Sequence, residues 1–306
     1  MNTLVTGITG SIGRVLAPAL RDAGHEVRGF TRDASRVTAA VDDIVEGDAQ
    51  TGRGFDAALD GIDVAYYLIH SMEAAIGAGF GAAELRSAEH FAEAAAKAGV
   101  RRIVYLGGPV PSDGTAISRH LGSRLAVEDM LLSAVPSPIA FRASIVISAG
   151  SRSFLFLVRL IERMPVLPMP AWTRNRSMPI DGRDVTEYLV RAATAPDELG
   201  GRAWDAIGPE VLTHGQLLER VAALMLVGRP ALRLSFSLTP IAAPVAAAVA
   251  GEDLGLIEPL MESLESELLP VDELAANAFG VRLHTFDAAV ERALRDLEAT
   301  VEVRAR

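Results

Sequence analysis

The chain contains no cysteine, which excludes disulfides, a thiolate nucleophile and cysteine metal sites, and is compatible with a reducing compartment. Lysine is almost as scarce: Lys97 is the only one, so nearly all positive charge is arginine. The six histidines include no His-x-x-x-His spacing, and no metal site is expected. Long apolar runs are missing too. The most apolar late stretch, Ile241 to Ala250, is too short to span a bilayer and contains Pro244. The first apolar run begins almost at Met1 and leaves no room for a leader, so a soluble, cytoplasmic protein is expected. Basic residues are outnumbered 29 to 39, a net charge of -10. Such a balance repels phosphate backbones and anionic membranes unless a local basic patch opposes it. Neither nucleic acid nor a membrane is expected as a partner, which leaves a small-molecule substrate.

What is present starts at the N-terminus. Thr3 to Thr6 is an apolar run suited to a buried strand, Gly7, Gly10 and Gly13 form a glycine-rich turn, and Ile12, Val15, Leu16, Ala19 and Leu20 begin a helical stripe. Strand, glycine turn and helix in that order form a phosphate-binding unit. The glycines let backbone approach a pyrophosphate, whose charge rests on free N–H groups at the positive end of the helix. Gly7, Thr9, Gly10, Ser11, Ile12 and Gly13 are its expected holders.

A second strand, Glu26 to Phe30, leads to Thr31-Arg32-Asp33. In dinucleotide-binding folds an acidic residue about 20 positions past the glycines binds a ribose 2′-hydroxyl, whereas arginine there suits a 2′-phosphate. Arg32 lies 19 residues after Gly13, so NADP(H) is the expected cofactor; the alternative is a solvated loop arginine pairing with Asp33. Asp43 to Glu46 is a third strand, ending near Asp48, which either contacts adenine or caps the following turn. Asp63 to Ile69 is nearly continuously apolar, as a central parallel strand must be when helices cover both its faces. Leu68 and His70 at its carboxyl end, with Gly107 after the strand Arg102 to Leu106, face the expected crevice. His70 is either a pocket donor or a structural histidine.

Ala82 to Ala98 reads as a helix ended by Gly99, and Ile139 to Ile147 as a sixth strand. Five β/α alternations without hairpin signals predict an α/β fold with a doubly wound parallel sheet over residues 1–150, with 179–207 returning to it. Residues 151–178 and 208–306 read as a smaller, largely helical substrate domain. Within it Phe154 to Met164 is a helix, and Thr213 and Gln216 have capping-box spacing; in the returning segment Asp184 is expected to cap a helix starting at Val185.

Thr6-Gly7-Ile8-Thr9-Gly10-Ser11-Ile12-Gly13, Arg32, Leu106-Gly107-Gly108 and Pro179-Ile180-Asp181-Gly182-Arg183-Asp184-Val185 resemble the short-chain dehydrogenase/reductase superfamily. More narrowly, they are similar to its atypical NAD(P)H-binding branch, near nitrogen-metabolite-repressor-like proteins. The resemblance implies a Rossmann domain and hydride transfer at the sheet's end, with a Tyr-x-x-x-Lys pair for proton transfer. At the corresponding positions stand His120 and Arg124, and with one lysine in the chain that pair cannot exist. Residues four apart on a helix share a face. His120 as proton donor and Arg124 as its cationic neighbour are therefore the catalytic candidates; the alternative pairs Arg124 with Glu128. Ser112, Thr115, Ser118 and Ser123 are nearby hydroxyls. The predicted activity is NADP-dependent reduction of a small, mostly apolar carbonyl, enone or quinone-like substrate. The missing pair also permits a non-catalytic redox sensor or a redox-neutral isomerase or cyclase.

Overall fold

The computed structural model describes residues 1–69, 80–112, 117–236, 243–244, 247–249, 251 and 254–300, with backbone alone at 80, 119–120, 255–256, 258–260 and 300. Its centre is a seven-stranded sheet. β1 (Asn2–Thr6), β2 (Glu26–Thr31), β3 (Asp43–Glu46), β4 (Val64–Tyr67), β5 (Arg102–Gly107), β6 (Ile139–Ala143) and, by its later position, Arg202–Ala206 (β11) lie in the order β11-β6-β5-β4-β1-β2-β3. Every neighbouring pair is parallel. Parallel neighbours need crossovers, and these are the helices α1 (Ser11–Asp22), α2 (Phe55–Leu59), α3 (Phe80–Ala98) and α4 (Arg119–Leu132). Strand order reverses between β1 and β4, which opens a crevice at their carboxyl ends.

Central strands are apolar because both faces are covered. Val5, Val64, Tyr66, Val104 and Phe141 pack with Leu16 and Leu20 of α1 and with Tyr188 and Leu189. Leu4, Ala65, Tyr67, Ile103 and Ala140 pack with Phe55, Phe91 and Leu131 on the opposite face. Alternate residues thus serve opposite cores, which is why a simple hydrophobic alternation is absent.

Past β6 the chain makes short pairings. β7 (Val146–Ile147) is followed by α5 (Arg152–Arg163), β8 (Leu167–Met169), β9 (Arg176–Ser177), β10 (Ile180–Asp181) and α6 (Gly182–Thr194). After β11 come β12 (Leu212–Thr213), α7 (His214–Leu224), β13 (Ala231–Arg233), α8 (Leu254–Ser263), α9 (Ala275–Phe279) and α10 (Phe286–Thr300). β7 pairs with β10, β9 with β12 and β8 with β13. A third apolar cluster holds α5, α7 and α10 together through Phe154, Ile161, Leu217, Val221 and Val290.

Several sequence expectations are corrected. The stretch 139–147 is two strands, because β6 stays in the main sheet while β7 leaves it for β10. The strand expected over 63–69 is confined to Val64–Tyr67. The helix expected from Val185 starts at Gly182, and its cap is Asp181, whose carboxylate accepts the Arg183 N–H at 2.8 Å. Asp184, one turn later, is fully buried and instead accepts from the N–H (2.9 Å) and Nδ1 (2.6 Å) of His284. Thr213 and Gln216 do form the capping box of α7. Among the described residues no helix is long and apolar enough to cross a membrane, and no group of three acidic or histidine side chains is placed to hold a metal.

Candidate functional site

The glycine turn opens into the crevice. Gly7 adopts φ +63°, and a Cβ there would lie 2.6 Å from the Leu68 carbonyl oxygen. A Cβ on Gly13 would lie 2.4 Å from the Gly7 carbonyl oxygen, so the turn closes only with glycine at both places. Thr6 fixes the turn against β4: its Oγ1 donates to Tyr66 O (2.9 Å) and accepts the Leu68 N–H (3.0 Å). The N-cap of α1 is Gly10, with no side-chain cap and no acidic residue in the first turn. By contrast α4, α5, α6 and α7 are capped by Ser118, Ser151, Asp181 and Thr213. An uncapped positive helix end facing a crevice, with backbone N–H groups lacking side-chain acceptors, fits a pyrophosphate.

A cavity of about 800 Å³ runs from this turn along the strand ends. Gly7, Thr9, Gly10, Ser11, Ile12, Gly13, Arg32, Asp48, Leu68, Gly107 and Arg124 all line it. His70 and Thr115 lie outside the described residues, as does the side chain of His120, whose backbone sits in the first turn of α4. Asp48 both lines the cavity and caps its turn, accepting the Gln50 N–H at 3.0 Å.

The suggested pairing of Arg32 with Asp33 does not form. The Asp33 carboxylate accepts from Ser35 N–H (3.0 Å) and Oγ (2.6 Å), capping a short 3₁₀ turn that holds its pKa below the usual range. Arg14 and Arg36 line the same cavity as Arg32, all three exposed. Sequence reasoning passed over these two; the available signal was their position, Arg14 directly after Gly13 and Arg36 four residues past Arg32.

Arg124 is set by β5. Its Nη2 donates to Leu106 O at 2.6 Å, and its guanidinium lies 5.9 Å from the Tyr105 ring centroid. Glu128, the alternative partner, is bound by Arg142 through Nε (3.0 Å) and Nη2 (2.7 Å) instead. The neighbouring hydroxyls are engaged elsewhere: Ser118 caps α4, Ser123 Oγ donates to the buried Glu84 (2.5 Å), and Ser112 bonds Glu267 O. Ser144, directly after β6, was not foreseen. It lines the cavity, and its buried hydroxyl has no hydrogen-bond partner.

The cavity lining also includes the apolar Phe156, Leu157, Met261, Leu264 and Leu268 and the polar Ser148, Ser151 and Arg152. Gly150 sits so close to α1 that a Cβ there would lie 2.9 Å from Ser11 Cβ. The segment around Gly150 therefore stands directly beside the start of α1.

Residues 7–121 match the model of a family described as NAD(P)H-binding. A ceramide reductase from Caulobacter vibrioides is 29% identical over 201 residues, covering 63% of this chain and 61% of the relative. The match thus spans about three-fifths of that relative's length. A (4-alkanoyl-5-oxo-2,5-dihydrofuran-3-yl)methyl phosphate reductase from Streptomyces griseus is 29% identical over 238 residues, 74% of each chain. Among solved structures, a short-chain dehydrogenase/reductase superfamily protein from Agrobacterium tumefaciens with bound NAD aligns over 100% of both chains at TM-score 0.71 and 19% identity. Residues 7–121 are thus similar to an NAD(P)H-binding family, in a chain that shares the fold of a short-chain dehydrogenase/reductase superfamily protein.

Proposed function

We propose that the protein is an NADP(H)-dependent oxidoreductase that reduces a small, mostly apolar carbonyl, enone or quinone-like substrate. The arginine group carries the cofactor half of this reading. Arg14, Arg32 and Arg36 all line the cavity, and among the described residues none of them forms an ion pair, while Asp33 beside them accepts from Ser35 through one carboxylate oxygen. A 2′-phosphate supplies the negative charge that matches these three guanidinium groups.

When bound, the nicotinamide supplies or accepts the hydride. The chain's own groups hold and orient. The N–H groups of the first turn of α1 take the pyrophosphate. Arg124, anchored on Leu106 O, offers fixed positive charge to an oxyanion developing at the strand ends. His120, four residues earlier on α4, is the nominated proton donor, and the hydroxyl of Ser144, which lines the cavity, is a second candidate donor. Phe156, Leu157, Met261, Leu264 and Leu268 receive the apolar part of the substrate. Two relatives named as reductases support the direction, and the alkanoyl group in the name of the Streptomyces relative's substrate suits such a wall.

Calorimetric titration tests the cofactor half. NADPH is expected to bind more tightly than NADH, and Arg32→Ala to weaken NADPH roughly tenfold or more while leaving NADH nearly unchanged. Equal affinity for the two cofactors in the unaltered protein defeats this half. Absorbance of NADPH against a panel of ketones, enones and quinones tests turnover. Unchanged rates in His120→Ala for every accepted substrate defeat the proton-donor assignment.

One observation favours a second reading, a redox sensor that binds NADP(H) without turnover. The only lysine, Lys97, is tied to Asp56 at 3.0 Å on an exposed surface outside the cavity, so the usual ammonium is missing from the site. Cofactor-dependent partner binding without NADPH consumption identifies that case, and intact product mass without net NADPH loss identifies an isomerase or cyclase.

A further inference from the structure

Leu226 is 92% exposed and has φ +57°, the one described non-glycine residue with positive φ. It occupies the turn that ends α7: Leu226 N–H donates to Ala223 O and Val227 N–H to Ala222 O, both at 3.0 Å. This is the helix-ending geometry in which glycine costs least. A leucine there is unfavourable twice over, in backbone strain and in apolar exposure.

It does not stand alone. The chain continues along β13, which runs parallel to β8 with Leu232 opposite Pro168. Leu167 N–H donates to Pro230 O, and Ala171 N–H to Phe236 O, so 226–236 lies as one edge beside 161–171. On that edge Leu232 is 55% exposed, Phe236 52% and Val166 38%. β13 is exposed at all three positions.

The charge along this edge opposes that of the molecule. From Arg220 to Gly251 there is no aspartate or glutamate, in a chain of net charge -10. Arg229 donates to the carbonyls of Ile161 and Glu162, and Arg163 to that of Val249. Carbonyl partners orient these guanidinium groups without neutralising them. Arg233 faces Glu219 at 3.7 Å, an exposed pair of little strength. The Glu162 carboxylate is the one acid within 161–171.

We propose that this edge docks on an anionic lipid surface, with Leu226, Leu232 and Phe236 entering the interface and Arg163, Arg229 and Arg233 at headgroup level. Apolar side chains flanked by Arg163 and Arg229, held by carbonyls, and by Arg233 in its weak exposed pair with Glu219 match that surface in both polarity and sign. A second copy is disfavoured, since a two-fold contact through this edge sets like charges against each other. The net acidity keeps the rest of the molecule away from the bilayer and so orients it.

The test is co-sedimentation of the full chain with phosphatidylcholine vesicles, with and without phosphatidylglycerol. Binding is expected only with phosphatidylglycerol, falling with added salt. Arg229→Ala and Arg233→Ala should each weaken it about fivefold, and Leu226→Gly combined with Phe236→Ser more than tenfold. Leu226→Gly alone relieves the strained turn, so its melting temperature should be equal or higher while vesicle binding falls; loss of binding is then not loss of fold. No sedimentation with phosphatidylglycerol vesicles, or equal sedimentation of the combined variant, overturns the proposal. Self-association abolished by Leu226→Gly, without vesicle binding, overturns it in favour of a second copy.

Discussion

His214, the first residue of α7, is 3% exposed, with its Nε2 unpartnered and its ring set edge-on 6.2 Å from that of Trp172. Burial lowers its pKa from 6.5 to about 4, against a smaller opposing pull from Glu267. The unfolded chain takes up this proton near pH 6.5 and the folded one only near pH 4. Its contribution is therefore complete above pH 6.5 and lost as pH falls towards 4, a change of roughly 3 kcal/mol. Urea midpoints measured from pH 7 down to pH 4.5 should fall, and fall less in His214→Phe. At this scale the sequence was legible where chemistry is local: the glycines, the Thr213–Gln216 box and the position of Arg32 are all set by neighbours in the chain. It was not legible where the partner is distant. Asp184 looks like a cap because aspartate near a helix start usually is one, yet it is bound by His284, 100 positions on. Glu128 is matched to Arg142 across strand and helix, not to Arg124 along the helix.

The elements themselves divide in the same way. β1, β4 and β5 announce themselves as apolar runs between turn residues, since a parallel strand covered on both faces has no polar side to interrupt it. β7, β9, β10 and β12 have two residues each, too few for any period, and exist through partners 34 to 37 positions away, as Val146–Ile180 and Arg176–Thr213 show. The joint between the sheet and α6 is a further element-scale feature without a sequence signal. Arg102 on β5 is fully buried and donates to Ser137 O (3.0 Å), to Ala192 O and Ala195 O (both 2.7 Å) and to Asp197 (2.9 Å). Two of these acceptors are carbonyls at the carboxyl end of α6, where a cation also meets the negative end of the helix. Arg102→Leu should destabilise the protein by about 3–5 kcal/mol, because it leaves buried carbonyls and Ser137 unsatisfied. Chemical denaturation measures the loss, and hydrogen exchange should show it first at the end of α6.

For the whole molecule the cavity is the place where the sheet, α5 and the segment 261–268 meet, so a ligand there ties them together. NADPH at one hundred times its dissociation constant should stabilise the fold by about 2.7 kcal/mol. Thermal melts with and without NADPH read this directly, and the shift should vanish in Gly13→Ala, whose added Cβ meets the Gly7 carbonyl oxygen. The sequence located one side of the cavity well, since the glycine turn and strand ends are contiguous signals. Its other side, from Ser144 to Arg152 and from Met261 to Leu268, is assembled from segments more than 100 positions apart, and no local pattern marks them as facing each other.

Lys97 lies at the carboxyl end of α3, exposed beside Asp56 and outside the cavity. As the sole lysine, it gives amine-directed reagents a single side-chain address. A fluorophore attached there, with the chain's α-amino group as the one other amine to be labelled or blocked, would report on rotation, surface attachment and cofactor-linked motion from a point that no proposed ligand touches. The scarcity that removes the usual ammonium from the cavity thus equips the molecule with a built-in site for observing it.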